Sequence, residues 1–168
     1  DIGTYENAYQ FFQRALEIDE RVTGPDSITV SSDYYNLADV SYNMYQFSKS
    51  LLYLRKALAI RKKHYSSDDI GVVVLIKLLA GIYVKLNRPD RAEALYSRAA
   101  DKFERNPKTD ILQLSTLYSD MASFFRERGY PGDYEKAKIY YQKTEQGMKQ
   151  IYGDKPHPEM AAFYDEYA

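Results

Sequence analysis

Cysteine and tryptophan are both absent from this chain of 168 residues, and no apolar run approaches the roughly 20 residues that a membrane-spanning helix needs. Without cysteine the chain has neither disulfides nor thiolate chemistry, as is common in reducing compartments. There is also no signal-peptide pattern. We therefore expect no membrane contact and a cytoplasmic location.

An excess of charge of one sign is also missing. Lys and Arg total 23 against 24 Asp and Glu, which leaves a formal net charge of −1. Binding to a phosphate backbone requires a basic surface, and this composition does not supply one. Nucleic acid is therefore not an expected partner.

Residues that could form a catalytic or metal site are few and scattered. His64 and His157 lie far apart without metal-ligand spacing. The stretch 153–158 contains one Gly and one Lys but lacks the Gly-x4-Gly-Lys-Ser/Thr pattern of a phosphate-binding loop. The acids Asp68 and Asp69 precede a helical run, where a carboxylate caps free backbone amides. We expect no catalytic residue, no metal and no cofactor, so any enzymatic activity would reside in another domain.

A small-residue pattern recurs with a period of 42 residues. It relates Ala15 to Ala57 and Ala99, and two further sets repeat at the same spacing. These sets are Ala8, Ser50 and Ala92, and Ala38, Ala80 and Ala122. A fourth copy follows three inserted residues near Gly129, with Ala137 and Thr144 in the small positions. A period of this length indicates a stack of repeats, each too small to bury its apolar face alone.

Apolar residues within each repeat follow helical spacing, as Leu51, Leu54 and Leu58 illustrate. Breaks fall at Gly and Pro, for example at 24–26 and 129–132. The pattern predicts an all-α chain, organised as a single repeat domain over 1–168. The predicted helices span 5–22, 27–44, 47–64, 69–86, 89–105, 109–128, 134–152 and 157–168.

The recurring slots resemble those of the tetratricopeptide repeat family, in its long variety of about 42 residues seen in kinesin light chains and nephrocystin-like proteins. The resemblance implies a right-handed superhelical solenoid of antiparallel helix pairs. It also implies that tyrosines at the large slots serve packing. The slot residues of the three complete units are Tyr34, Leu37, Ala38, Ser41, Ser50, Leu54 and Ala57; Ile76, Leu79, Ala80, Tyr83, Ala92, Tyr96 and Ala99; and Tyr118, Met121, Ala122, Phe125, Ala137, Tyr141 and Thr144.

The same resemblance implies that the first helix of each pair lines a concave groove. The candidate contact residues are those of the first helices that packing does not use: Ser32, Tyr35, Asp39, Tyr42 and Asn43; Val74, Lys77, Gly81, Val84 and Lys85; and Thr116, Ser119, Ser123, Arg126 and Glu127. Lys77, Lys85 and Arg126 are expected to share this groove and to favour an acidic peptide that carries an apolar residue. We expect a protein-interaction scaffold or adaptor that binds a peptide or partner helix there.

A regulatory or self-association segment of a larger signalling protein is the alternative. The sequence starts at Asp1 in a second helix and stops within a first helix, so we expect a fragment of a longer repeat array. Uncapped repeats expose apolar surface. Neighbouring repeats or another copy of the chain are therefore expected to cover Phe163, Tyr164 and Tyr167.

Overall fold

The computed structural model describes residues 2–153 and 158–167, and within these ranges every regular element is a helix. His157 and the side chain of Tyr167 therefore lie outside the description. The helices are α1 (Ile2–Thr23), α2 (Ile28–Asn43), α3 (Phe47–His64), α4 (Ile70–Lys85), α5 (Pro89–Arg105), α6 (Ile111–Arg128), α7 (Asp133–Tyr152) and α8 (Pro158–Tyr167). The predicted all-α architecture is confirmed, with helix boundaries that differ from the predicted ones by at most three residues.

Helices α2, α4 and α6, each the first helix of a pair, start with a side-chain cap. The side chains of Ser27 and Asp69 each accept a hydrogen bond of 3.2 Å from the backbone amide three residues on, and Asp110 accepts one of 3.0 Å from the amide of Leu112. These bonds satisfy amides that have no partner within the helix. The predicted capping role of the Asp68-Asp69 pair is thus filled by Asp69.

The turn from a first helix to a second helix repeats its backbone geometry. Tyr45, Asn87 and Gly129 have φ angles of 59°, 53° and 64°, and they are spaced 42 residues apart. In the first two turns the residue that follows donates its amide to a carbonyl five residues back, at 2.8 Å for Gln46 and 2.9 Å for Arg88. This left-handed turn reverses the chain within three or four residues and makes each helix pair antiparallel.

The chain divides into two compact units, Asp1–Ala99 and Ala100–Ala168. In the first unit, small side chains bring α2 and α3 together. The hydroxyl of Ser50 donates to the carbonyl oxygen of Ala38 at 2.7 Å, and that of Ser31 donates to the carbonyl of Ala57 at 3.0 Å. Close approach of two helix backbones requires small residues, which explains the repeated slots.

In the second unit, α6 packs on α7, and a buried ion pair anchors the inserted turn between them. The guanidinium of Arg128 donates to both carboxylate oxygens of Asp133, at 2.7 and 2.6 Å, and the amide of Tyr130 donates to the same carboxylate at 2.9 Å. Hydrogen bonds from Arg128 hold the pKa of Asp133 below its usual value despite its burial. The three inserted residues are thus held by a defined polar contact.

Tyrosines at the large slots are packing residues, as predicted: Tyr34, Tyr83, Tyr96, Tyr118 and Tyr141 all lie in the core. The expectation for Phe163 is wrong, because α7 already covers it. Its ring lies 6.1 Å from that of Tyr141, and only 5% of the residue is exposed. Tyr164 remains 41% exposed.

Candidate partner-binding surface

The face of α2 that packing leaves open is aromatic and polar. Tyr35 is 40% exposed, Asp39 and Asn43 are exposed, and Tyr42 is half-buried against the edge of the Phe47 ring. The amide nitrogen of Asn43 donates to the carbonyl of Asp39 at 3.0 Å. These four predicted contact residues lie together over about two turns of one helix, beside half-buried Ser32.

Helix α4 has the most apolar sequence of the first helices, yet its open face carries two lysines. Lys77 is half-buried and Lys85 is exposed, two turns apart, with Gly81 between them. Half-buried Val74 and Val84 lie beside them on the helix. A methyl group added at Gly81 would lie 3.6 Å from the hydroxyl of Tyr96, an ordinary contact distance. This face therefore combines apolar surface with positive charge.

The corresponding face of α6 belongs to the second unit. Ser119 and Ser123 are half-buried, whereas Thr116, Arg126 and Glu127 are exposed. The guanidinium carbon of Arg126 lies 5.9 Å from the centre of the Tyr141 ring. Because Lys77 and Lys85 belong to the other unit, a groove shared by the three cations stays a prediction.

A four-residue arrangement that sequence reasoning missed occurs in both units. In the first unit, Tyr34 donates to a carboxylate oxygen of Glu20 at 3.0 Å, its ring stacks on Tyr53 at 6.1 Å, and the ammonium of Lys56 lies 4.8 Å from the ring centre. Burial, followed by the bond to Glu20, raises the pKa of Tyr34 to about 12. We call this group the aromatic–cation cluster.

The second aromatic–cation cluster is formed by Glu104, Tyr118, Tyr140 and Lys143. Tyr118 donates to Glu104 at 2.5 Å, its ring lies 5.8 Å from Tyr140, and the ammonium of Lys143 lies 4.7 Å from the ring centre. The glutamate and the donor tyrosine recur after 84 residues, and the second tyrosine and the lysine recur after 87, because the three inserted residues lie between them. The intervening repeat has Ile76 in place of the donor tyrosine. Comparing alternate repeats, rather than adjacent ones, would have found this signal.

Other polar features of the described residues do not converge on a ligand. No three His, Asp or Glu residues in the described part of the chain could jointly hold a metal ion. A hollow of about 370 Å³ is open to solvent and lined by five polar side chains of α7 alone. Across residues 2–153 and 158–167, no helix is both long and apolar enough to cross a membrane.

Residues 1–63 match the family model described as tetratricopeptide repeat. The crystal structure of BtubC (BKLC) from P. vanneervenii superposes with a TM-score of 0.80 at 21% identity, covering 93% of this chain and 61% of that one. This chain is built on the tetratricopeptide repeat fold. A kinesin light chain-like protein from Podosopora anserina with nearly identical TPR-like repeats superposes with a TM-score of 0.74 at 14% identity, covering 96% of this chain and 74% of that one.

Among curated proteins, none matches the chain in sequence. The chain spans less than two thirds of the BtubC structure. Tetratricopeptide repeats generally act as scaffolds for protein–protein interaction and are typically not catalytic. The resemblance to kinesin light chain-like repeats is thereby confirmed at the level of fold.

Proposed function

We propose that this tetratricopeptide repeat chain is a protein-interaction scaffold that binds a peptide or partner helix along the open faces of its first helices. The bound segment is acidic and carries an apolar side chain. Any enzymatic activity of a larger protein resides outside the chain, and the cytoplasmic location is part of the same proposal.

The open face of α4 carries this proposal. Eight side chains of this helix are buried in the core, and its two lysines lie on the face that the core leaves open. Lys77 and Lys85 are separated by two turns, about 12 Å along the axis. Half-buried Val84 lies next to Lys85, so one bound segment could contact both the charge and the apolar surface.

Fluorescence polarisation tests the proposal with labelled peptides that pair Asp or Glu with Leu or Trp. A second set replaces each acid with Lys. We expect binding of the acidic set only, and weaker binding as salt rises, because exposed ion pairs are screened over a Debye length of about 8 Å at physiological salt. The Lys77→Glu/Lys85→Glu variant should weaken binding by about tenfold or more through lost attraction and new repulsion.

The matched control is Lys62→Glu/Lys63→Glu, which makes the same change of charge on α3, away from the first helices. Lys63 forms an exposed ion pair with Asp26, at 2.6 Å, and such pairs add little stability, so this control should fold and bind normally. An equal loss of affinity in both variants would show that the change in net charge, rather than the position of the lysines, weakens binding. Unchanged affinity in the α4 variant would show that the peptide binds at another surface.

A further inference from the structure

Two tyrosines on different second helices meet through their hydroxyl groups. Tyr9 of α1 and Tyr53 of α3 are 44 residues apart in sequence, yet their hydroxyl oxygens lie 2.7 Å apart in a hydrogen bond. Their ring centres are separated by 6.4 Å, and the ring planes are inclined at 53°. Both residues are half-buried. We call Tyr9 and Tyr53 the tyrosine pair.

The packing of the repeats does not require the tyrosine pair. The residues that follow Tyr9 and Tyr53 by 42 positions are Leu51 and Leu95, and both are half-buried. Leucine therefore fills the same two slots one repeat later, without a hydroxyl group. The hydroxyls give the pair a chemical property that repeat packing alone does not explain.

Tyrosine is the main target that this chain offers to a one-electron oxidant. Cysteine and tryptophan, which would compete for such an oxidant, are absent from the sequence. Burial, and then the hydrogen bond with Tyr9, raises the pKa of Tyr53 to about 12. The phenol of Tyr53 is therefore neutral at physiological pH and releases its proton when it loses an electron. The product is a phenoxyl radical, whose unpaired electron is shared with the two ring carbons ortho to the oxygen.

The hydroxyl contact brings the reactive carbons of the two rings close together. Each ortho carbon is bonded to the carbon that carries the hydroxyl, so rings whose oxygens touch also present neighbouring ortho carbons. Tyr53 stacks on Tyr34 as well, at 6.1 Å, but the hydroxyl of Tyr34 donates to Glu20, whereas that of Tyr53 bonds to Tyr9. Tyr9 is thus the favoured coupling partner of Tyr53.

We propose that Tyr9 and Tyr53 form an intramolecular dityrosine cross-link when the folded chain meets a one-electron oxidant. Each phenol gives up one electron and one proton, and the two radicals couple through a carbon–carbon bond between ortho positions. The hydrogen on each of these carbons then moves to the phenol oxygen as the rings regain aromaticity. The chain loses two hydrogen atoms in total. One molecule of hydrogen peroxide, reduced to two waters by a haem peroxidase, accepts them.

The cross-link fastens α1 to α3 across the repeat that contains α2. In a chain without disulfides it provides a covalent link, and like other links between distant residues it restricts the unfolded state. The cross-linked chain should therefore resist urea better. Both tyrosines lie on second helices, so this modification is separate from the peptide binding proposed for the first helices.

Oxidation of the folded chain with a haem peroxidase and limiting hydrogen peroxide tests the proposal. A low protein concentration, followed by isolation of the monomer, separates the intramolecular product from links between copies. Trypsin should then release residues 1–14 joined to residues 50–55, with a mass two hydrogen atoms below the sum of the separate peptides. The product should also show the long-wavelength fluorescence of dityrosine, and tandem mass spectrometry identifies the linked residues.

Phenylalanine variants identify the coupled rings, because each keeps the ring and removes only the hydroxyl. Tyr9→Phe and Tyr53→Phe should each abolish the linked peptide. Tyr5→Phe is the matched control on α1, about one turn before Tyr9, and Tyr34→Phe tests the ring that stacks on Tyr53. Both of these variants should keep the link, and circular dichroism should show equal helix content in every variant.

Oxidation of the urea-unfolded chain provides the reference for undirected coupling and should give much less of this link. The cross-linked chain should also unfold at a higher urea concentration than oxidised Tyr9→Phe. A folded chain that yields no link between the two peptides would overturn the proposal. So would a link that persists in Tyr9→Phe, or an equal yield from folded and unfolded chains, since the hydrogen-bonded geometry would then not direct the coupling.

Discussion

At the residue scale, the turn after each first helix requires one residue with a left-handed backbone. Gly129 and Asn87 suit this conformation, but Tyr45 does not, since its Cβ is crowded at a φ of 59°. Tyr45 is also 81% exposed, and its described ring contact is an edge contact with Phe47 at 6.1 Å. The position therefore stores strain that its side chain does little to offset.

Tyr45→Asn should stabilise the chain by about 0.5–1 kcal/mol, because asparagine adopts the left-handed region more readily. Urea denaturation measures the change in the free energy of unfolding. The matched control is Tyr134→Asn, at a residue that is 75% exposed within α7. There the same replacement should give no gain, and a gain at both positions would show that backbone strain is not the cause.

Two buried aspartates experience opposite environments. Asp133 is held ionised by Arg128, whereas burial, and then the charge of Asp19, raises the pKa of Asp33 to about 6. Among the described residues, no group donates a hydrogen bond to one carboxylate oxygen of Asp33. The folded state therefore binds a proton at Asp33 more tightly than the unfolded chain does. Its contribution to stability is present at low pH and is lost as pH rises through about 6.

Asp33→Asn should remove the loss of stability that occurs as pH rises and Asp33 ionises. Relative to the wild-type chain, we expect no gain near pH 4 and a gain of about 1–2 kcal/mol at pH 7.5, because the amide stays neutral. Urea denaturation at both pH values measures the difference. A gain of the same size at pH 4 would mean that packing, rather than ionisation, limits this position.

At the element scale, small side chains control how closely the helices of a pair approach. Ala57→Leu should cost about 1–3 kcal/mol of unfolding free energy, because the added atoms overpack the contact with α2. Ala59→Leu makes the same change on the same helix at an exposed position and should be nearly neutral. Chemical denaturation of both variants gives the comparison, and equal effects would argue against the repeat register.

The helices, their register and the small slots could be predicted from sequence because a 42-residue period exposes them to direct comparison. The burial and contacts of residues that depend on a neighbouring helix could not be predicted from the sequence. Asp33 occupies a slot that holds Leu75 and Leu117 in the next two repeats, so its burial breaks the pattern. The aromatic–cation clusters join residues of three helices, and their spacing becomes visible only once those helices are paired. The binding role of the open α2, α4 and α6 faces stays a prediction.

At the scale of the whole molecule, each helix of a repeat chain depends chiefly on its neighbours, so a local defect should stay local. Arg128→Gln tests this, since it leaves the buried carboxylate of Asp133 without its cation and should cost about 3 kcal/mol. Hydrogen exchange should accelerate in α6 and α7 while α2 and α3 are unaffected. Equal acceleration throughout residues 2–153 would indicate a single cooperative unit.

The tyrosine–glutamate hydrogen bonds should also affect the fluorescence of this protein. With 18 tyrosines and no tryptophan, its ultraviolet emission comes from tyrosine alone. A phenol that donates to a carboxylate can lose its proton to it in the excited state, which quenches the emission. Tyr34, Tyr118 and Tyr164 are held in this arrangement by Glu20, Glu104 and Glu145. These three rings should be dark in the folded chain and brighten as their helices separate, giving an intrinsic optical signal without an added label.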